Sequence, residues 1–316
     1  MPSGTGGAGQ LSSTLQALGV PAESPSTAGI PPSVGGARLL RVTSGRAAPS
    51  TRLRIGAHVD QVDPVAEAAG RGADLAQFFL GDPQGWKGPK IAYAGGGDAL
   101  RAAASEAGID LYVHAPYLVN VATSNNKIRI PSRKILQDQA KAAAAIGAKG
   151  LIVHGGHVSR EDDPQVGFDN WCKTFERMTP PLPILIENTA GGDNAMARTL
   201  DRIGGLWEAL AQRCDMELVG FCLDTCHAHA GGEDLVGIVD RVKAITGRID
   251  LVHANDSRDV FGSGADRHAN FGSGRVDPDE IVAVAAAAGA PVVVETPGGA
   301  AGQGADIAFL RERLPG

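Results

Sequence analysis

A chain of 316 residues with 43% apolar and 20% charged side chains can bury a full core and suits one large α/β domain or two smaller ones. Its net charge of −6 argues against holding nucleic acid by diffuse electrostatics alone, so any phosphate partner must be met by local positive charge. No apolar stretch reaches the roughly 18 residues of a membrane span. The four dispersed cysteines (Cys172, Cys214, Cys222 and Cys226) argue against a disulfide framework and fit a reducing cytoplasm.

Residues 1–50 contain 9 Gly, 6 Pro and 8 Ser without sustained periodicity, a composition that buries too little to offset its ordering entropy. The segment is expected to be a disordered extension, with a weak organellar transit peptide or a start codon assigned too far upstream as the other readings. It carries Arg38, Arg41 and Arg46 against Glu23 alone, so the −6 of the chain becomes −8 over the remainder. A single domain is expected over 51–316.

From Leu53 onward, short apolar runs alternate with Ala-rich stretches of helical period. Strands are predicted at 53–59, 74–80, 110–116, 150–156, 183–189, 220–226, 250–256 and 291–297. Helices are predicted between them, for example over 131–146, 200–213, 235–245 and 278–287. Eight strand-then-helix units point to a closed (β/α)8 TIM barrel. A doubly wound open sheet is the alternative, but no GxGxxG fingerprint follows the first strand.

This architecture turns a scattered set of residues into geometry, because barrel sites lie at the C-terminal ends of the strands. His114 ends the third predicted strand, His154 the fourth, Glu187 the fifth, Asp224 and His227 the sixth, His253 the seventh and Glu295 the eighth. Asp266 and His268 follow in the loop after the seventh, spaced to face the same side of an extended segment. Taken singly, each is an ordinary polar loop residue, an Asx turn at Asp224 included. Six of eight strand ends bearing such groups favour divalent cations in catalytic roles, since a structural zinc would more usually show paired cysteines. Cys222 and Cys226 flank Asp224 and read as buried strand residues rather than thiolate ligands.

The stretches GAHV (56–59), VHAPYLVNVA (113–122), VHGG (153–156), IENTAGG (186–192), CLDTCHAHAGGEDL (222–235), HANDS (253–257), DRHANFGSG (266–274) and ETP (295–297) resemble the endonuclease IV family of abasic-site nucleases. The likeness is to its actinobacterial type, covers about 52–314, and leaves the first 50 residues outside. It implies a barrel with three zinc ions, with Mn²⁺ able to share some sites. By position, His114 and His154 would hold one zinc. Glu187 would bridge it to a second that also takes Asp224, His253 and Glu295, and the third would take His227, Asp266 and His268. His58, in GAHV, would orient a ligand or the phosphate and so count with Glu187 and Glu295 among the catalytic residues.

The resemblance also implies the reaction: a hydroxide between the first two zincs attacks the phosphorus 5′ to an abasic sugar in double-stranded DNA, and the third zinc stabilises the leaving 3′ oxygen. The products are a 3′-hydroxyl and a 5′-deoxyribose phosphate, and the family favours a monomer. Tyr117 and Leu118 match the residues that wedge into the duplex at the lesion; read as residues alone they are loop packing. Gln84 stands where an arginine is often inserted, a departure from better-known members. Arg129 and Arg133 lie in a basic segment that fits either phosphate contacts or a solvated helix start. The runner-up is a metal-dependent sugar isomerase or epimerase on the same barrel, which would have no use for the trio His227, Asp266 and His268. A non-catalytic damage-binding module conflicts with the acidic domain and the full ligand set.

Overall fold

The computed structural model describes residues 52–192 and 194–315, so the extension expected over 1–50 lies outside the described residues. In chain order the strands are β1 (Ile55–His58), β2 (Leu75–Phe79), β3 (Asp110–His114), β4 (Leu151–His154), β5 (Ile184–Glu187), β6 (Val219–Asp224), β7 (Leu251–His253), β8 (Asp256–Ser257), β9 (His268–Ala269) and β10 (Val292–Val294). All but β8 and β9 are parallel and form a closed barrel in the order β1-β10-β7-β6-β5-β4-β3-β2. Closure is made by β1, which pairs with β10 through Ile55↔Val292, Gly56↔Val293 and Ala57↔Val294. That pairing removes the open-sheet alternative.

Strand alternation fixes what lies inside. Leu75, Tyr112, Ile152, Leu185, Cys222, Leu251 and Val293, one from each strand from β2 round to β10, form their own buried apolar cluster. Two residues further along the same strands come Gln77, His114, His154, Glu187, Asp224, His253 and Glu295. On β1 the pair is Gly56 and His58; a Cβ at Gly56 would sit 1.9 Å from the Leu75 carbonyl oxygen, so only glycine fits. An apolar plug thus underlies a polar ring to which every barrel strand contributes one side chain.

The helices are α1 (Pro64–Gly70), α2 (Gly96–Ala107), α3 (Asn126–Ala145), α4 (Pro164–Arg177), α5 (Leu200–Ala211), α6 (Thr225–Gly231), α7 (Ile238–Thr246), α8 (Pro278–Ala288) and α9 (Gly299–Arg313). A larger apolar cluster, with Leu136, Trp171, Leu206, Val242, Ile281 and Leu310 from helices, packs them onto the barrel. Helix α3 begins five residues before the expected Pro131, because the Asn125 side chain accepts from the Lys127 amide and caps an earlier start. Helix α7 begins three residues later than expected, after Gly237 at φ 69°. The strand expected to reach Cys226 stops at Asp224, whose carboxylate accepts from the His227 amide and starts α6. Among the described residues no helix is long and apolar enough to cross a membrane.

Candidate metal centre

The polar ring and the loops above it gather potential ligand atoms into four overlapping groups, each within 4.8 Å: His114, His154 and Glu187; Glu187, Asp224, His253 and Glu295; Asp224, Cys226 and His268; and His227, Asp266 and His268. Glu187 lies at the junction. Its Oε2 is 3.1 Å from His114 Nε2 and 3.3 Å from His154 Nε2, while Oε1 is 3.0 Å from His253 Nδ1 and 3.3 Å from His227 Nδ1. Glu295 Oε2 is 3.3 Å from His253 Nδ1, and Asp224 Oδ2 is 3.8 Å from both His253 Nδ1 and His268 Nε2. In the trio, Asp266 Oδ1 sits 3.1 Å from His227 Nε2 and 3.2 Å from His268 Nε2.

Neighbouring groups decide which ring nitrogen each histidine offers. An oxygen acceptor engages the other nitrogen: the Ala115 carbonyl for His114 Nδ1, the Asn188 carbonyl for His227 Nδ1, the Glu295 carbonyl for His268 Nδ1 and the Gln77 side chain for His253 Nε2. Carboxylates are steadied in the same way. Asn255 Nδ2 donates to Asp224 Oδ2 at 2.7 Å, and Asn188 clamps the Asp224 backbone through both its amide atoms. This is the outer hydrogen bonding that metal-ligating side chains require. Among the candidate ligands, two buried nitrogens make no well-aligned hydrogen bond, His227 Nε2 and His268 Nε2. Both approach Asp266 Oδ1, so two imidazole nitrogens and a carboxylate oxygen converge where a divalent cation would satisfy all three. Cys226 is the one sulfur in these groups, and burial pushes its thiol up to about 12, so nitrogen and oxygen donors dominate, which fits Zn²⁺ or Mn²⁺.

Electrostatics point the same way. Burial pushes the Glu187 carboxyl up, but the surrounding His253, His154, His114 and His227 hold it well below the usual range. Burial likewise opposes Glu295 and Asp266, and their histidine neighbours still hold both low. Asp224 is raised, because burial outweighs His227 and His268. Burial lowers His154 to about 4, whereas at His268 it is overcome by Asp266, Asp224 and Glu295, which lift the ring to about 9. Burial and Asp224 push the Cys226 thiol to about 12, and Cys222 belongs to the apolar plug.

The centre opens into a cavity of about 420 Å³ lined by His58, Tyr117, Pro297 and Gln303 beside the ligand candidates. Tyr117 is 55% exposed and its ring stacks over His154 at 6.0 Å, while Leu118 packs partly into the barrel's outer core. Gln84 is exposed on a neighbouring loop, tied to Tyr117 through the Pro83 carbonyl, which accepts from the Tyr117 amide at 3.0 Å. Arg129 is occupied locally by the Thr123 carbonyl and Asn126, and Arg133 has Arg177 and Arg129 as charged neighbours. Gln77, Asn188 and Asn255 escaped the sequence reading. The findable signal was position: Gln77 stands two residues beyond an apolar plug residue, as the strand-borne ligand candidates do.

Fold and site together define a (β/α)8 barrel with a cluster of potential metal ligands at the C-terminal mouth. A model of the xylose isomerase-like TIM barrel matches residues 65–313. The probable endonuclease 4 of Mycobacterium tuberculosis is 56% identical over 263 residues, 83% of this chain and 99% of that protein. Endonuclease IV from Thermus thermophilus superposes with a TM-score of 0.69 at 27% identity, covering 82% of this chain and 98% of that one. A D-tagatose 3-epimerase-like protein, at 17% identity and a TM-score of 0.67 over 83% of this chain and 97% of its own, shares the fold alone. The chain belongs to the xylose isomerase-like TIM barrels and, among them, to the endonuclease IV family.

Proposed function

We propose that this protein is an apurinic/apyrimidinic endonuclease of DNA repair. It hydrolyses the phosphodiester 5′ to an abasic site in double-stranded DNA and leaves a 3′-hydroxyl and a 5′-deoxyribose phosphate. The observation that carries the reading is the trio His227, Asp266 and His268, whose two imidazole nitrogens converge on one carboxylate oxygen to form a site beside the four-residue set. An isomerase needs no such third position, whereas phosphoester cleavage can use one to stabilise the departing oxygen. The high identity to a probable endonuclease 4 over nearly that protein's whole length supports it.

In this reading His114, His154 and Glu187 hold one zinc, Glu187, Asp224, His253 and Glu295 a second, and His227, Asp266 and His268 a third, with Mn²⁺ able to replace some. Bound cations supply an activated water at neutral pH, neutralise the phosphate and stabilise the departing oxygen. The chain's own residues do the rest. Glu187, the shared carboxylate, sets the spacing of the first two positions, and Glu295 closes the second. Burial keeps His58 neutral on the cavity wall, where it can donate a hydrogen bond to a phosphate oxygen. Tyr117 projects from the rim with Leu118 behind it and Gln84 alongside, placed to enter the duplex at the lesion, and Arg129 and Arg133 offer phosphate contacts. The free cysteines suit a monomeric enzyme of the cytoplasm.

A duplex carrying one stable abasic analogue should be nicked 5′ to the lesion without added Mg²⁺, and prolonged chelation should remove the activity. Elemental analysis should find about three zinc atoms per chain. A folded, metal-replete sample that left this duplex intact but isomerised a ketose would overturn the assignment.

A further inference from the structure

Seven of the eight side chains in the polar ring are histidine, aspartate or glutamate; the eighth is Gln77, which is wholly buried. We infer that Gln77 is the positioning residue of the four-ligand set, selecting the nitrogen of His253 and the oxygen of Glu295 that face a cation. The inference rests on the metal-centre reading above and deepens it.

Gln77 Nε2 lies 2.6 Å from Glu295 Oε1, and an ionised carboxylate only accepts, so the amide must present its N–H there. That orientation points Gln77 Oε1 at His253 Nε2, 2.8 Å away, which must therefore carry the proton. The remaining His253 nitrogen, Nδ1, is the one 3.0 Å from Glu187 and 3.3 Å from Glu295 Oε2. Since Glu295 Oε1 is engaged by the amide, Oε2 is left facing the cation position. His58 Nδ1 lies 3.0 Å from the same amide nitrogen and 3.2 Å from Glu295 Oε1, within reach of both members of that pair. One neutral side chain thus fixes the His253 tautomer and one carboxylate rotamer without adding charge to the cluster.

No other residue does this. Glutamate keeps the acceptor for His253 but repels Glu295, and methionine fills the space while removing the acceptor from His253 Nε2 and the amide donor from Glu295 Oε1. The two variants therefore separate the donor from the acceptor role. In both Gln77→Glu and Gln77→Met, zinc affinity measured by chelator competition should weaken about 10- to 100-fold at one site, with the other two equivalents retained. In the metal-free protein, above the pH at which this raised ring loses its second proton, long-range ¹H–¹⁵N correlation should show His253 as the Nε2–H form in wild type and in Gln77→Glu, and a mixture in Gln77→Met. A merely structural glutamine would lower thermal stability and leave both readouts unmoved. Wild-type zinc affinity in both variants, or an unchanged His253 pattern in Gln77→Met, overturns the inference. A wild-type chain that binds no zinc overturns the metal-centre reading instead, and in that chain the tautomer of metal-free His253 still decides the role of Gln77.

Discussion

The deep ligand set and the outer trio are built by different means. Glu187, Asp224 and His253 end barrel strands and have side chains no more than 1% exposed, with ladder register setting Asp224 beside His253 and Glu187 beside His154. His227 instead sits in the first turn of α6, and Asp266 and His268 come from a loop that returns through a two-residue antiparallel pairing. That return is tied down by the buried Asp256 carboxylate, which accepts from the Gly274 and Val276 amides. Asp266 is 51% exposed. Ligands fixed by a closed sheet cannot drift singly, whereas those on a short ribbon can, so the outer position should be the weaker holder of metal.

The sharpest way to break this comparison is at the residue both regions share. Glu187→Gln removes the charge that four imidazoles surround and replaces the carboxylate shared by two ligand groups with an amide. Nicking of the abasic duplex should fall by at least about 10³-fold, or about 4 kcal/mol in the barrier, and zinc content should drop with it. Retention of activity within tenfold would show that Glu187 does not join the two regions.

Asp266→Asn tests the outer region alone. It removes the only carboxylate of the trio, so one zinc equivalent should be lost while the deep equivalents stay, with nicking reduced by about 10- to 100-fold. Loss of all the metal together would mean that the two regions are one cooperative site.

The same division governs what the sequence could reveal. Strand-borne residues were legible because each closes an apolar run, and alternation then places it two steps above a plug residue such as Ile152 or Leu251. The mode of attachment of the trio was not legible. GFCLDTC continues as an apolar run past Asp224, and only the three-dimensional cap to the His227 amide shows that the strand ends and a helix begins. A two-residue ribbon such as β8–β9 is too short for periodicity to register, and its tether, Asp256, lies ten residues from Asp266. Gln77 was passed over because a neutral amide is not a ligand type, although its position matched the others.

The smallest expected effect is a pH-dependent one, and its sign follows from which rings must lose protons to bind metal. Burial lowers His154 to about 4, so it is already neutral at physiological pH and costs a cation no proton. At His268 burial is overcome by Asp266, Asp224 and Glu295, which lift it to about 9, and His227 is likewise raised well above 6.5 by its carboxylate neighbours. Filling the outer position must therefore displace protons from two imidazoles, against one in the four-residue set, where burial is overcome by Cys222, Glu295 and Glu187, which raise His253 well above 6.5 as well. Affinity at the outer position should climb more steeply as pH rises toward about 9 and fall as it drops. The metal-free fold responds in the opposite sense. A ring whose folded pKa is raised contributes stability that is complete below its unfolded value, near 6.5, and lost as pH rises through about 9. Both trends widen the gap in melting temperature between zinc-loaded and chelated protein as pH rises from about 6 to about 9, because bound ligand stabilises in proportion to its affinity. Dialysis toward about pH 6 should release zinc from the outer position before the deep ones. A gap that narrowed with rising pH, or early release from the deep set, would show that proton competition is not what distinguishes the two regions.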